Sequence, residues 1–197
     1  MTTPETLASY FANEAQAWEA LTYTKLRFLA GDEQLAQRTA KVASEGISRF
    51  AGEVSFAGAV REMRTKLEKH DAPDVAMKTR RGGFYDIDFI VGYLSVRQQA
   101  GREGNTRERL YALAEAGALP DDACATLDAA AELLRAVDHA IRLVTGRVKG
   151  LPEAEHSHHV IERLVSKIVR RELSGGVEGE LQRTADAVRA LYDEIVK

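Results

Sequence analysis

Apolar positions along this chain recur at helical spacing. Phe84, Ile87, Ile90, Val91 and Leu94 share one arc when each residue is turned by about 100° from the last. Leu133, Val137, Ile141 and Val144 repeat the pattern, as do Ile161, Leu164, Val165 and Ile168. Each stripe reads as the buried face of a helix and carries no functional meaning. Alternating β-branched runs are absent, and the good helix formers Ala, Leu, Glu and Arg dominate.

Punctuation between the stripes predicts the elements. Pro4, Pro120 and Pro152 suit helix first turns, where a missing N–H costs nothing. Thr2 with Glu5 and Asn105 with Glu108 read as capping boxes. Ala30-Gly31-Asp32, Gly101, Gly117, Gly146 and Ser174-Gly175-Gly176 read as stops. Helices are expected over residues 4–29, 33–50 (weakened by Gly46), 54–70, 84–99, 105–117, 120–145, 152–173 and 178–196. The one long irregular stretch is a loop over 71–83 that holds Pro73 and Gly82-Gly83. The expected fold is all-α, an antiparallel helical bundle of about seven or eight helices with no sheet. It forms a single domain over 1–197, whose one candidate sub-boundary lies near 146–152.

Composition narrows the function classes. A chain of 197 residues buries roughly 70% of its unfolded surface, enough for a proper core. With 27 basic and 30 acidic side chains, a net charge of -3 carries no electrostatic footprint for nucleic acid. The lone Cys124 forms no internal disulfide and reads as a small helix residue. A single thiol without a signal peptide fits a reducing cytoplasm. No apolar run approaches the 18 or so residues of a membrane span.

Several residues break the pattern. On the first expected helix, Trp18, Leu21, Thr22, Leu26 and Leu29 make an inner arc, and Lys25 falls inside it. Such an ammonium either snorkels at the arc's edge or faces a carboxylate or bound phosphate. Lys78-Thr-Arg-Arg-Gly-Gly-Phe-Tyr-Asp86-Ile-Asp88 sets three basic residues and two glycines before a helix start, where unpaired amides and the helix dipole favour anions. The stretch is not a P-loop, because the Gly-Lys-Ser/Thr ending is missing. A tight turn alone explains the glycines but leaves the basic cluster over. Asp86 and Asp88 spell Asp-x-Asp, yet on a helix residues i and i+2 lie about 160° apart and diverge, so Asp86 instead serves the helix N-terminus. His158 and Glu162, beside His156 and His159, have a two-ligand spacing with no third ligand, so a solvated helix start is expected and no metal site. Arg135, His139 and Arg142 line one face of the sixth helix, a pattern usual for a solvated stripe. Arg64 and His70 have the Arg-x5-His separation of some small helical-bundle ribonucleases, a spacing that also arises by chance in helix-rich chains.

Four ordered blocks resemble a known family. Trp18-Glu19-Ala20-Leu21, Lys25-Leu26-Arg27 and Ala30-Gly31-Asp32 are similar to its Trp-Glu, Lys-Ala-Arg and Ala-Gly-Asp stretch. Met63-Arg64-x-Lys66 to His70 resembles its Arg-x-Lys helix. Lys78, Gly82-Gly83 and Asp86-Ile87-Asp88-Phe89 resemble its Lys…Gly-Gly-Leu-Arg-Asp-Ile-Glu-Phe signature. Leu134-Arg135-x-x-Asp138-His139, followed by Leu151-Pro152, is similar to its Leu-Arg-x-x-Glu-His. The family is glutamine synthetase adenylyltransferase, related to the uridylyltransferases that modify the PII signal protein. Phe84-Tyr85 replace Leu-Arg, Asp88 and Asp138 replace Glu, and Gly92 replaces Gln, as in a divergent member that keeps the fold.

The resemblance implies a helical companion domain of a nucleotidyltransferase core, in an enzyme that moves AMP from ATP to glutamine synthetase, or removes it, under control of nitrogen status. Mg²⁺ and ATP are implied for the intact enzyme and no cofactor for this chain. The implied partners are the nucleotidyltransferase core, glutamine synthetase and PII. Lys25, Arg27, Lys78, Gly82, Gly83 and Asp86 are the residues implied to face nucleotide or phosphate. The core's Gly-Ser and strand-borne Asp-x-Asp have no counterpart here, so the chain is expected to begin about where a core would end and to have no catalytic residue. Two rivals stand beside it: a stand-alone helical interaction module, and a small helical ribonuclease using Arg64 and His70.

Overall fold

A computed structural model of the chain describes residues 3–69, 76–146 and 150–197. Among the described residues there are helices and turns and no strand, as the apolar spacing predicts. The order is α1 (Pro4–Asn13), a 3-10 turn (Ala17–Glu19), α2 (Ala20–Tyr23), α3 (Glu33–Ala51), α4 (Phe56–Lys69), α5 (Ala76–Thr79), α6 (Phe84–Gln98), α7 (Thr106–Glu115), α8 (Asp121–Thr145), α9 (Glu155–Val169) and α10 (Gly176–Ile195). Thr2, His70 and Pro73 lie outside the described residues. The chain forms two compact units. One comprises Met1–Met63, Phe89–Pro120 and Val196–Lys197; the other comprises Arg64–Asp88 and Asp121–Ile195. The stretch 146–152 falls within the second unit.

In the first unit α1 packs on α3. The Phe11 ring lies where a Cβ at position 46 would stand, so the glycine that weakens α3 as a helix is what admits the ring. Leu7, Phe11, Ile47, Phe50, Phe56, Val60, Val91, Val96, Leu110 and Leu113 are buried. The Phe56 ring stacks on Phe50 and on Tyr93, with centroids 6.5 and 5.4 Å away. Arg97 lies over both Phe56 and Tyr93 and donates to the Ala51 carbonyl at 2.6 Å.

The expected first helix, 4–29, is wrong in extent. It breaks after Asn13, whose side-chain amide donates to the Ser9 carbonyl. The 3-10 turn then opens with a Gln16–Glu19 capping box, and Tyr10 Oη donates to both Glu19 oxygens at 2.7 Å. That bond and partial burial push the Tyr10 hydroxyl up to about 12. These local bonds substitute for the helical ladder. Beyond Thr24 the chain leaves helix, and Leu26, Phe28 and Leu29 are 46%, 51% and 80% exposed. The inner arc expected around Lys25 therefore does not form, and Lys25 is exposed.

In the second unit α8 packs on α9 and α10. Leu127, Leu134, Val137, Ile141, Ile161, Val165, Val177, Leu181, Val188 and Tyr192 form its core. The helix expected over 152–173 stops at Val169, where Arg170 turns left-handed at φ 55°. The following turn is tied by Glu180, which accepts from the Ser174 amide at 3.1 Å and from Arg171 at 2.9 Å. No helix among the described residues is long and apolar enough to cross a membrane.

Candidate functional site

The basic, glycine-rich block lies in the second unit, held from behind. Arg64, on α4, is 1% exposed. Its Nε donates to Asp86 Oδ1 at 2.6 Å, and its Nη2 donates to the carbonyls of Thr79 and Arg80 at 2.9 and 3.0 Å. The Gly82 amide donates to Asp86 Oδ2 at 2.5 Å, and the Gly83 amide to the Arg80 carbonyl at 2.9 Å. Asp86, fully buried in the first turns of α6, thus fastens the turn to the helix that follows. Arg189 of α10 completes the network. It reaches Glu68 at 2.6 Å, Asp86 at 3.4 Å and Asp193 at 3.1 Å. Glu68 also stands 3.5 Å from Arg64. Burial pushes the Asp86 carboxyl above its ordinary value, while Arg64, the Gly82 amide and Arg189 pull it back.

This geometry separates the roles within the block. Gly82 has φ +73°, and a Cβ there would run into the backbone of Ala185. Its glycine is required by a left-handed turn laid against α10. The Gly82 and Gly83 amides are both spent on internal acceptors, so neither is left to cradle an anion. Asp86 is turned inward. Lys78 and Arg81 are exposed and Arg80 is half-buried. A cleft of about 610 Å³ opens beside them, lined by Arg80, Arg81, Gln182, Asp186, Arg189 and Asp193. Arg81 reaches Asp193 across it at 3.4 Å.

The other two candidate residues, Lys25 and Arg27, lie in the first unit and are exposed. Leu26, Arg27, Phe28, Leu29 and Leu35 line a groove of about 640 Å³. Asp32 fixes its end, accepting from the Leu35 amide at 2.8 Å as the cap of α3.

Sequence reasoning missed Arg189, Glu68 and a second buried cation, Arg109. Arg109 donates to the Gly101 carbonyl and to the Thr24 and Ser95 hydroxyls within the first unit. An arginine in a short amphipathic helix gives no linear sign that it will be buried. The i,i+4 spacing of Arg189 and Asp193 signals only a surface pair. Among the described residues no cluster of three potential metal ligands occurs, and Cys124 is buried. Arg135, His139 and Arg142 are exposed, with Arg142 paired to Asp138 at 2.9 Å. Arg64 is sequestered by Asp86; its proposed ribonuclease partner, His70, lies outside the described residues.

A family model described as GlnD PII-uridylyltransferase matches residues 55–196. The chain is 27% identical over 197 residues to the bifunctional glutamine synthetase adenylyltransferase/adenylyl-removing enzyme of Bradyrhizobium diazoefficiens, covering 96% of this chain and 19% of that protein. It is 31% identical to the like-named protein of Streptomyces avermitilis over 151 residues, 71% of this chain and 15% of that one. With the Mycobacterium tuberculosis protein the identity is 28% over 166 residues, 80% and 17% of the two chains. The chain thus spans less than a fifth of the length of these curated relatives.

Proposed function

Since the chain belongs to the GlnD PII-uridylyltransferase family, we propose that it is the helical companion domain of a glutamine synthetase adenylyltransferase-like protein. Its role is to assist AMP transfer to glutamine synthetase, or AMP removal, in the cytoplasm. The observation that carries this reading is the alignment of 96% of the chain within 19% of a named adenylyltransferase. Chemistry resides in a nucleotidyltransferase core supplied with ATP and Mg²⁺, and PII sets the balance between the two directions. Alone, this chain binds nucleotide weakly and transfers nothing. Lys78 and Arg81 offer exposed cations to phosphate at the rim of the cleft, and Lys25 and Arg27 do the same at the groove. Gly82, Gly83 and Asp86 shape the turn that carries the first pair. The nucleotidyltransferase core covers the apolar groove.

The test is label transfer from α-labelled ATP to glutamine synthetase, with calorimetry of Mg-ATP binding alongside. The purified chain should yield no adenylylated product, and Lys78→Ala with Arg81→Ala should weaken nucleotide binding. Robust AMP transfer by the chain alone overturns the reading.

The groove also favours a second reading, a stand-alone interaction module. Phe28→Asp with Leu29→Asp would then abolish partner capture, while neutralising Lys78 and Arg81 and adding ATP would change nothing.

A further inference from the structure

Arg80 lines the cleft of the second unit and is built into the turn behind it. Its carbonyl accepts from Arg64 Nη2 at 3.0 Å and from the Gly83 amide at 2.9 Å. Its stem lies against the same turn, with Cγ 3.0 Å from where a Cβ on Gly83 would stand. Gly83 thus makes room for the methylenes of Arg80. The residue is held at its backbone and along its stem, and it is half-buried.

The charges lining the cleft do not all find partners within it. Three arginines, Arg80, Arg81 and Arg189, face two aspartates, Asp186 and Asp193. Arg189 is met by Glu68 at 2.6 Å and by Asp193 at 3.1 Å. Arg81 reaches Asp193 at 3.4 Å. Asp186 accepts from the Gln182 amide at 2.9 Å. The Arg80 guanidinium makes no hydrogen bond or ion pair among the described residues. Lys78 and Arg135 of the same unit also lack a carboxylate, but both are exposed and neither lines the cleft. A partly buried charge is screened far less than one on open surface, so an anion entering the cleft gains most at Arg80.

We propose that Arg80 is the residue that grips a phosphate group in this cleft, with Lys78 and Arg81 drawing the anion in from the rim. This role rests on the proposed function, in which the cleft faces phosphate, and it adds the side chain that sets affinity. A planar guanidinium on an anchored stem presents paired N–H donors to two oxygens of one phosphate. Arg81 serves differently, because it also screens Asp193, whose carboxylate would otherwise repel the ligand.

Calorimetry of the full chain with inorganic tripolyphosphate tests it. Arg80→Gln should weaken binding about tenfold or more, the loss expected for a hydrogen bond between charged groups. Arg80→Lys should recover only part of that loss, since an ammonium keeps the charge and not the fork. Arg81→Gln should also weaken binding, and adding Asp193→Asn should restore most of it; the same Asp193→Asn should not rescue Arg80→Gln. Arg135→Gln, outside the cleft, should change nothing. Circular dichroism confirms that the variants keep their helices. Unchanged binding by Arg80→Gln, an equal loss from Arg135→Gln, or equal binding of citrate overturns the proposal. A parent chain that takes up no tripolyphosphate also overturns it, and leaves the companion-domain reading to be decided by label transfer.

Discussion

Replacing Asp86 with alanine should unfold the second unit far more readily than any surface change. Asp86 is fully buried and is met by Arg64 at 2.6 Å, the Gly82 amide at 2.5 Å and Arg189 at 3.4 Å. Removing one partner of a buried ion pair costs about 3–5 kcal/mol, because the remaining charge is left uncompensated. Arg64 keeps the Thr79 and Arg80 carbonyls, with Glu68 at 3.5 Å, which argues for the lower end. The orphaned Gly82 amide adds about 1 kcal/mol or more. A loss of about 4 kcal/mol follows, and at about 2–4 °C per kcal/mol for a chain of this size Tm falls by about 8–16 °C. Urea unfolding followed by circular dichroism, with calorimetry, measures both. Arg64→Met combined with Asp86→Leu should recover part of the loss, since an apolar pair needs no compensation. If Asp86→Ala stays within about 1 kcal/mol of the parent, the network does not hold the turn and the reasoning fails.

Acid stability should depend on Glu180 rather than Asp86. The Arg171 hydrogen bond, opposed by burial and helped by the Ser174 amide and Arg183, holds the Glu180 carboxyl at about 2 against an ordinary 4.5. Its folded value is depressed, so its contribution is complete above about pH 4.5 and is lost as pH falls toward 2. Glu180→Gln should cost about 1 kcal/mol at neutral pH, because Arg171 and Arg183 are half exposed, and should flatten unfolding free energy against pH across that window. Asp86, raised rather than lowered, contributes in the opposite sense. Its burial favours folding below pH 3.8 and this contribution fades as pH rises through its folded value, so Asp86 does not drive acid unfolding. Gly82→Ala should destabilise by at least about 2 kcal/mol in thermal melts, combining left-handed strain with collision against Ala185; Gly117→Ala, at φ +70° in open space, should cost about 1 kcal/mol. Arg109→Met should cost about 1–3 kcal/mol by removing the donor to the Thr24 and Ser95 hydroxyls, although the Gly101 carbonyl keeps the Ser95 hydroxyl at 3.0 Å, and Arg109→Lys should restore little, because an ammonium cannot span all three acceptors as the guanidinium does.

Periodicity made the helices legible because burial acts on every third or fourth residue, and the Asn105–Glu108 capping box appears where the spelling puts it. The break in the first helix stayed hidden because the apolar spacing runs on past Asn13. What ends the ladder is a Tyr10–Glu19 bond that sequence pattern cannot weigh against it. The site shows the same division. Helical geometry was enough to set Asp86 and Asp88 apart on α6, where Asp86 is buried and Asp88 half-buried. It could not say that Asp86 would meet Arg64 at a distance of 22 residues and Arg189 at 103, since such pairings arise only when helices pack. A motif that combines glycines, an aspartate and cations invites one reading for all of them, the contact with phosphate. Burial assigns them differently. The glycines and the aspartate are consumed in fixing the turn, and only the cations outside it, Lys78 and Arg81, have side chains presented to solvent. If the block acts on phosphate, neutralising those two should abolish the effect without changing Tm, whereas altering Gly82 or Asp86 should lower Tm first and phosphate affinity only as a consequence.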